Sequence, residues 1–399
     1  MSPKTLIFSI VILLACLPQI ATDIYTPSLP AIAQAFGINI DVVQWSIAVY
    51  VFGAAGSQLI YGPLSEGIGR RTPLLIGLII FLVGSIICVL SPNIELLITG
   101  RFIQGLGAGA CAALWRSIFR DTFHGPELSK YASYSTLIVM FILPSAPVLG
   151  GYLQHTLGFR SAFVFLTLYC VATLIFLPYL QETNKHHHKN RLKKAFILAT
   201  FKDTLSHPIF MGYASCALIT FTAFFAWVAV GPVLLITHLG VTPVAFGWMS
   251  CLIVGCGMGI SSVLNSIFVK HFGVATMLRL GWGLSIFSGV LLIMCYILWN
   301  MTVITIILPV FIFYTGVFFI WPNIFSAAFE HMGAIAGYAG AVYSCMQLIG
   351  GTLITAIIAY LPDATPLPLG IIYIVGCAAA WLWFELKVRP ADTCHPRVR

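Results

Sequence analysis

Charge is what this chain has least of. Only 8% of its 399 residues are Asp, Glu, Lys or Arg, against about 25% in a soluble domain. The acids number just 12, and no charged residue occurs between Arg279 and Glu330. A soluble domain of any size is therefore excluded. Also missing is the phosphate-cradling G-x-x-x-x-G-K-[ST]; no Gly-Lys pair occurs anywhere, so the chain carries no nucleotide site of that kind to drive a pump. With no H-E-x-x-H and no nucleophile–base–acid set, the sequence reads as no enzyme.

What remains is oil. Hydrophobic residues make up 59% of the chain, and the mean hydropathy is +0.98. Spanning the hydrocarbon takes about 20 apolar residues per helix. The apolar runs predict twelve transmembrane helices at roughly 5–33, 42–64, 73–91, 95–118, 129–153, 160–180, 208–237, 243–268, 275–299, 302–327, 332–361 and 367–387. The first continues past any signal-peptide length without a small-residue cleavage pattern, and so reads as a span. The fold class is an all-α integral membrane protein.

Lysine and arginine set the orientation. An even number of spans returns both termini to one side. With that side cytoplasmic, the inner segments collect Lys4, Arg70, Arg71, Arg120, Lys130, the cluster Lys185 to Lys202, Lys270, Arg279 and four basic residues after 386; the outer loops keep Arg160 alone. Topology accounts for the net charge of +8, and nucleic acid need not be invoked. The long polar segment at 182–207 divides an N-terminal six-helix bundle, 1–181, from a C-terminal one with a cytoplasmic tail, 208–399. His186, His187 and His188 in that linker read as metal ligands or simply as solvated imidazoles. Ten of the 11 cysteines fall in predicted spans without metal spacing, as small core residues do. The halves echo one another: Trp45 and Gly56 are matched by Trp248 and Gly259, each 203 apart, and Gly150-Gly151 by Gly350-Gly351, 200 apart. A duplicated transporter half leaves such traces.

Ionisable groups inside spans are costly and direct attention to function. The deep ones are Asp23 in "QIATDIYTPSLPAI" and Arg101 in "LLITGRFIQGLGAGA". Asp23 reads either as part of a polar bend with Pro18, Pro27 and Pro30, as an interfacial acid, or as a cavity acid that exchanges a proton, with Arg101 as its opposing charge. Gly105 and Gly109 form a G-x-x-x-G that admits a close helix neighbour. In "GPLSEGIGRRTP", Glu66 and Arg70 suggest an ion-pair latch involving Asp121, Arg116 and Arg120; positive-inside anchoring is the plainer reading. Pro144, Pro147, Gly150 and Gly151 in "ILPSAPVLGG" predict a kinked or bent fifth span suited to a gate. Gln19, Tyr25, Tyr50, Gln104, Trp227, Tyr343 and Gln347 are candidate cavity residues, each also readable as packing.

Across its whole length the twelve-span plan resembles the major facilitator superfamily. "GPLSEGIGRR" is similar to its loop signature G-x-L-x-D-R-x-G-R-R, with Glu66 for Asp and Gly67 for Arg. "GRFIQGLG" resembles the fourth-helix motif with the embedded arginine. "ILPSAPVLGG" resembles the antiporter motif G-x-x-x-G-P-x-x-G-G, with Ile142 and Ala146 for its first two glycines. "TDIYTPSLPAI" and "WRSIFRDTF" are similar to patterns of the bicyclomycin/chloramphenicol-resistance (Bcr/CflA) drug:proton antiporters. The resemblance implies a monomeric, multi-pass protein of the bacterial inner membrane that exports small amphipathic molecules. Protons are its partners, Asp23 the proton-handling acid, Arg101 its modulator, and the proton gradient its energy source in place of any cofactor. Some relatives carry a second first-helix acid where this chain has Ala15. A dedicated metabolite or siderophore exporter is the alternative, and a proton-coupled importer a third reading.

Overall fold

A computed structural model of the chain describes residues 3–184, 194–330, 332, 336–360 and 365–390. His186, His187, His188 and Cys394 lie outside them. The described residues form helices α1 (Pro3–Asp23), α2 (Leu29–Phe36), α3 (Ile40–Ile68), α4 (Arg71–Leu90), α5 (Ile94–Thr122), α6 (Gly125–Leu157), α7 (Arg160–Phe176), α8 (Lys194–Ser206), α9 (Pro208–Pro232), α10 (Pro243–Trp299), α11 (Val303–Phe329), α12 (Ala336–Ile358) and α13 (Leu367–Trp383). Among the described residues there is no strand and eleven helical segments are long and apolar enough to cross a membrane. One of these is the 57-residue α10, which breaks at Gly273 (φ 75°, ψ 165°) into two arms, giving twelve crossings.

Two six-helix bundles result. Helices α1 and α3 to α7 pack as one, α9 to α13 as the other, and the two meet along α3 with α12 and along α6 with α10. The linker is not wholly irregular: residues 194–206 form α8, which rests on α9 and α12 and sets Phe201 edge-on to Tyr338, ring centroids 5.4 Å apart. Thr200 and Thr204 of this helix are buried and Phe201 partly so, while Phe196 and Leu198 stay exposed. The first span also breaks. Pro27 cannot donate the amide that would bond the Asp23 carbonyl, so α1 ends at Asp23 and the Thr26 hydroxyl donates to that carbonyl instead (2.8 Å). Pro30 then starts α2.

Lipid gives helices no hydrophobic reason to associate, so close contact and small residues must do so. Between α3 and α5 this is literal. A Cβ on Gly105 would collide with the Tyr50 carbonyl, and one on Gly109 with Ser57. In α6, by contrast, Pro144 and Pro147 leave the helix in one unbroken run from Gly125 to Leu157.

Duplication is visible in the backbone. Gly69 (φ 93°, ψ 166°), between α3 and α4, has almost the conformation of Gly273 between the α10 arms, at nearly the spacing of the tryptophan echo. Gly150 of α6 lies against the Ile24 carbonyl at the end of the first span, as Gly350 of α12 lies against the Leu218 carbonyl of the seventh.

These contacts separate two glycines that look alike in sequence. Gly105→Ala should cost about 1–3 kcal/mol by overpacking. Gly56→Ala, where an added Cβ meets nothing within 4 Å, should be neutral or stabilising. Thermal unfolding in detergent checks the pair; equal melting temperatures would refute the contact.

Candidate transport cavity

Arg101 is wholly buried about two turns into α5. Its Nη1 donates to the Ala21 carbonyl of α1 (3.1 Å) and to Gln104 Oε1, while Gln104 Nε2 donates to Ser85 of α4 (2.8 Å). The guanidinium lies over the rings of Tyr50 (4.1 Å) and Tyr25 (4.3 Å). It therefore replaces water with π faces and carbonyls. Among the described residues no ion pair joins it to Asp23, and its Nε and Nη2 have no hydrogen-bond partner.

Asp23 is half-buried at the C-terminal end of α1, one turn beyond Gln19, whose Nε2 donates to Asp23 Oδ2 (3.1 Å). Gln19 in turn lines an inner chamber of about 370 Å³ between the bundles. A larger vestibule of about 810 Å³ continues from it towards Glu66, Arg70 and Arg120, sharing Arg116, Trp115 and Gln347 in its walls. Acid and chamber are thus linked through one amide.

The opposite end is shut. Gln44 Nε2 donates across the bundles to the Ala229 carbonyl (3.3 Å), and Trp248 Nε1 to the Tyr152 hydroxyl (3.4 Å). A Cβ on Gly151 would strike the Pro243 carbonyl, and one on Gly247 the Pro147 carbonyl. The expected gate segment therefore acts as a seam between bundles in this conformation. Pro144 faces Gly255 deeper along the same contact.

At the basic end the latch forms with a different membership. Arg70 donates to Asp121 (3.1 Å), Glu66 (3.0 Å) and Ser65 (2.7 Å). Glu182, which carries no motif signal beyond being an acid at the end of a span, accepts from the Arg70 and Arg71 amides (2.8 and 3.1 Å). Thr183 donates to Asp121 as well (3.3 Å). Arg116 and Arg120 are not part of it: both side chains line the vestibule. Five residues of α-helix turn about 140° net, so Arg116 and Asp121 cannot face the same partner.

Of the proposed cavity residues, Gln19, Tyr50 and Gln347 line the inner chamber, and Tyr343 and Gln347 the vestibule. Tyr25, Gln104 and Trp227 do not reach either. Tyr25 and Gln104 are used up around Arg101, with the Tyr25 hydroxyl against Ser46 (3.0 Å), and Trp227 packs on Phe246 (ring centroids 6.4 Å). Trp115, Phe221 and Trp321 line the cavity without having been expected, because apolar aromatics in a span give no signal of which face is wet.

Two helical bundles meeting around a central cavity, open to one end and sealed at the other, define a membrane transport protein rather than an enzyme. The chain belongs to the Major Facilitator Superfamily, which it matches over residues 11–355. It is 27% identical to the "Bicyclomycin resistance protein homolog" of Haemophilus influenzae over 92% of each chain. It is also 27% identical to the "Chloramphenicol resistance protein" of Pseudomonas aeruginosa, over 92% of this chain and 86% of that one. These names agree with the resistance group that the first- and fourth-helix patterns resemble. The fold is that of the xylose transporter XylE from E. coli in its partially occluded inward-open form. The TM-score is 0.73 with 15% identity, over 96% of this chain and 98% of that one.

Arg101→Lys should lower thermal stability by about 2 kcal/mol or more, since an ammonium cannot stack between both rings and reach Ala21 and Gln104 together. Lys4→Ala, which removes only the exposed pair with Glu127, should cost at most about 1 kcal/mol. Melting curves of the two variants in one detergent compare them; the reverse ranking would contradict the packing of Arg101.

Proposed function

We propose that the protein is a proton-coupled antiporter that exports amphipathic, drug-like compounds across the bacterial inner membrane by alternating access, with the basic end and both termini in the cytoplasm. The observation that carries this reading is the placement of Asp23. Its carboxylate holds Gln19, a wall of the inner chamber, while the next residue, Ile24, presents its carbonyl to Gly150 in the α6 seam. A change in the charge of Asp23 is then felt both by a ligand and by the contact that must part.

The cycle runs on that linkage. A compound enters from the cytoplasm or inner leaflet while Asp23 is unprotonated. After the seam opens and the compound leaves, an outside proton neutralises Asp23, frees Gln19 and favours return to the inward-open form. Ligand and proton drive the cycle only through their different affinities for the two states. Energy comes from the proton gradient with no bound cofactor, and one monomer is the working unit. The positive-inside bias supports the orientation, and the relatives' names support drug-like substrates.

In everted vesicles with an imposed pH gradient, Asp23→Asn should abolish uphill uptake and the accompanying proton release while leaving ligand binding within a few-fold of native. Full uphill uptake with full proton release by Asp23→Asn would falsify the coupling role. Resistance assays with phenicols and other lipophilic drugs test the substrate class. Secretion of one metabolite without protection against any drug would point to a dedicated exporter.

A further inference from the structure

We infer that Arg116 is an anion-recognition residue and that the compounds this cavity prefers carry an acidic group, such as a carboxylate on an aromatic body. The inference rests on the transport reading for the use of the cavity, but its chemistry is independent of proton coupling.

Among the lining residues of the inner chamber, Arg116 is the single charged side chain. Its guanidinium lies over the Trp115 ring at 4.5 Å, and no ion pair or hydrogen bond holds it among the described residues. In the vestibule the acid is Glu66, and Glu66 is engaged by Arg70 (3.0 Å). Asp23 lines neither space, so its charge is not displayed to a ligand directly. The fixed field that a ligand meets is positive.

The opposite bundle strengthens the case. It contributes aromatic and uncharged polar side chains, including Trp321, Tyr343 and Gln347, and no charged one among the described residues. Trp321 also keeps a buried indole N–H without an acceptor. When the basic end closes in the transport cycle, these walls approach Arg116 and strip its water without offering a carboxylate. Removing one partner from a buried cation is costly, and a ligand that brings the missing anion offsets that cost. A guanidinium donates two parallel hydrogen bonds to a carboxylate, a pairing that an amide or an ammonium group on the ligand cannot match. The chamber, about 370 Å³, falls in the range that takes a small drug-sized molecule. An aromatic acid would set its charge on Arg116 and its ring against Trp115 or Phe221.

The test uses three probes of one shape and different charge: 4-butylbenzoate, 4-butylbenzamide and 4-butylbenzylammonium. Binding to the full-length protein in detergent is measured by calorimetry without a pH gradient. The carboxylate should bind at least about tenfold more tightly than the other two. Arg116→Gln should erase that preference while leaving amide binding unchanged; Arg116→Lys should retain part of it, and Arg120→Gln most of it. Equal binding of the three probes by the native protein, tighter binding of the ammonium, or a carboxylate preference surviving in folded Arg116→Gln would overturn the inference. Should Arg116→Gln fail to fold, the native charge series and Arg116→Lys still decide. Full proton coupling surviving in Asp23→Asn, with the carboxylate preference intact in the native protein, would overturn the antiport reading and leave this one standing. Coupling lost in Asp23→Asn, with no carboxylate preference in the native protein, would do the opposite.

Discussion

A guanidinium held without a carboxylate organises the N-terminal bundle. Arg101 of α5 reaches the Ala21 carbonyl of α1, the Tyr50 ring of α3, the Tyr25 ring beyond α1 and, through Gln104, Ser85 of α4. A buried cation exacts a large desolvation cost, and here several weak partners share it. The Tyr50 hydroxyl donates in turn to the Pro18 carbonyl (2.7 Å), tying α3 to the middle of the first span. The end of α1, where Asp23 sits, is positioned by this cluster. Glycines at α5 let the rings approach: with a Cβ at 105, the Tyr50 backbone could not lie where it does.

The second bundle repeats the construction with different chemistry. Glu182, after the sixth span, accepts from the backbone at the start of the third; Glu385, near the end of the twelfth, accepts from Arg279 at the start of the ninth (Nη2, 2.9 Å) and from Arg389 (3.0 Å). Gly150 and Gly350 press the fifth and eleventh spans against the first and seventh. Yet the seventh span has no acid corresponding to Asp23 and the tenth no arginine corresponding to Arg101. The common frame persists, and the deep intramembrane charges, Asp23 and Arg101, are confined to one half.

The twelve crossings were legible because each is an apolar run ended by charge, proline or glycine, and the break after Asp23 was legible in Pro27 and Pro30. The Glu66–Arg70–Asp121 cluster was legible in part, since its loop and helix-end residues recur in a recognisable order. What could not be read was facing. Arg116 and Arg120 seemed to belong with Asp121 because they are close in sequence, but the helical turn points them into the vestibule. Gln104 lies three residues from Arg101 and so shares its buried face, away from any ligand. Lys194–Ser206 reads as linker by charge and folds as α8, resting on α9 and α12.

The sealed end has a consequence of another kind. Its contacts are glycine against carbonyl, amide to carbonyl, indole to phenol, and the edge-on rings of Trp45 and Tyr360, 6.3 Å apart. No charged side chain takes part in any of them. Salt therefore has no grip on this seam, whereas the ion pairs of the basic end lie within each bundle, where added electrolyte screens the exposed ones. Opening the seam exchanges close packing for water and lipid, so its balance follows the lateral pressure and thickness of the surrounding bilayer.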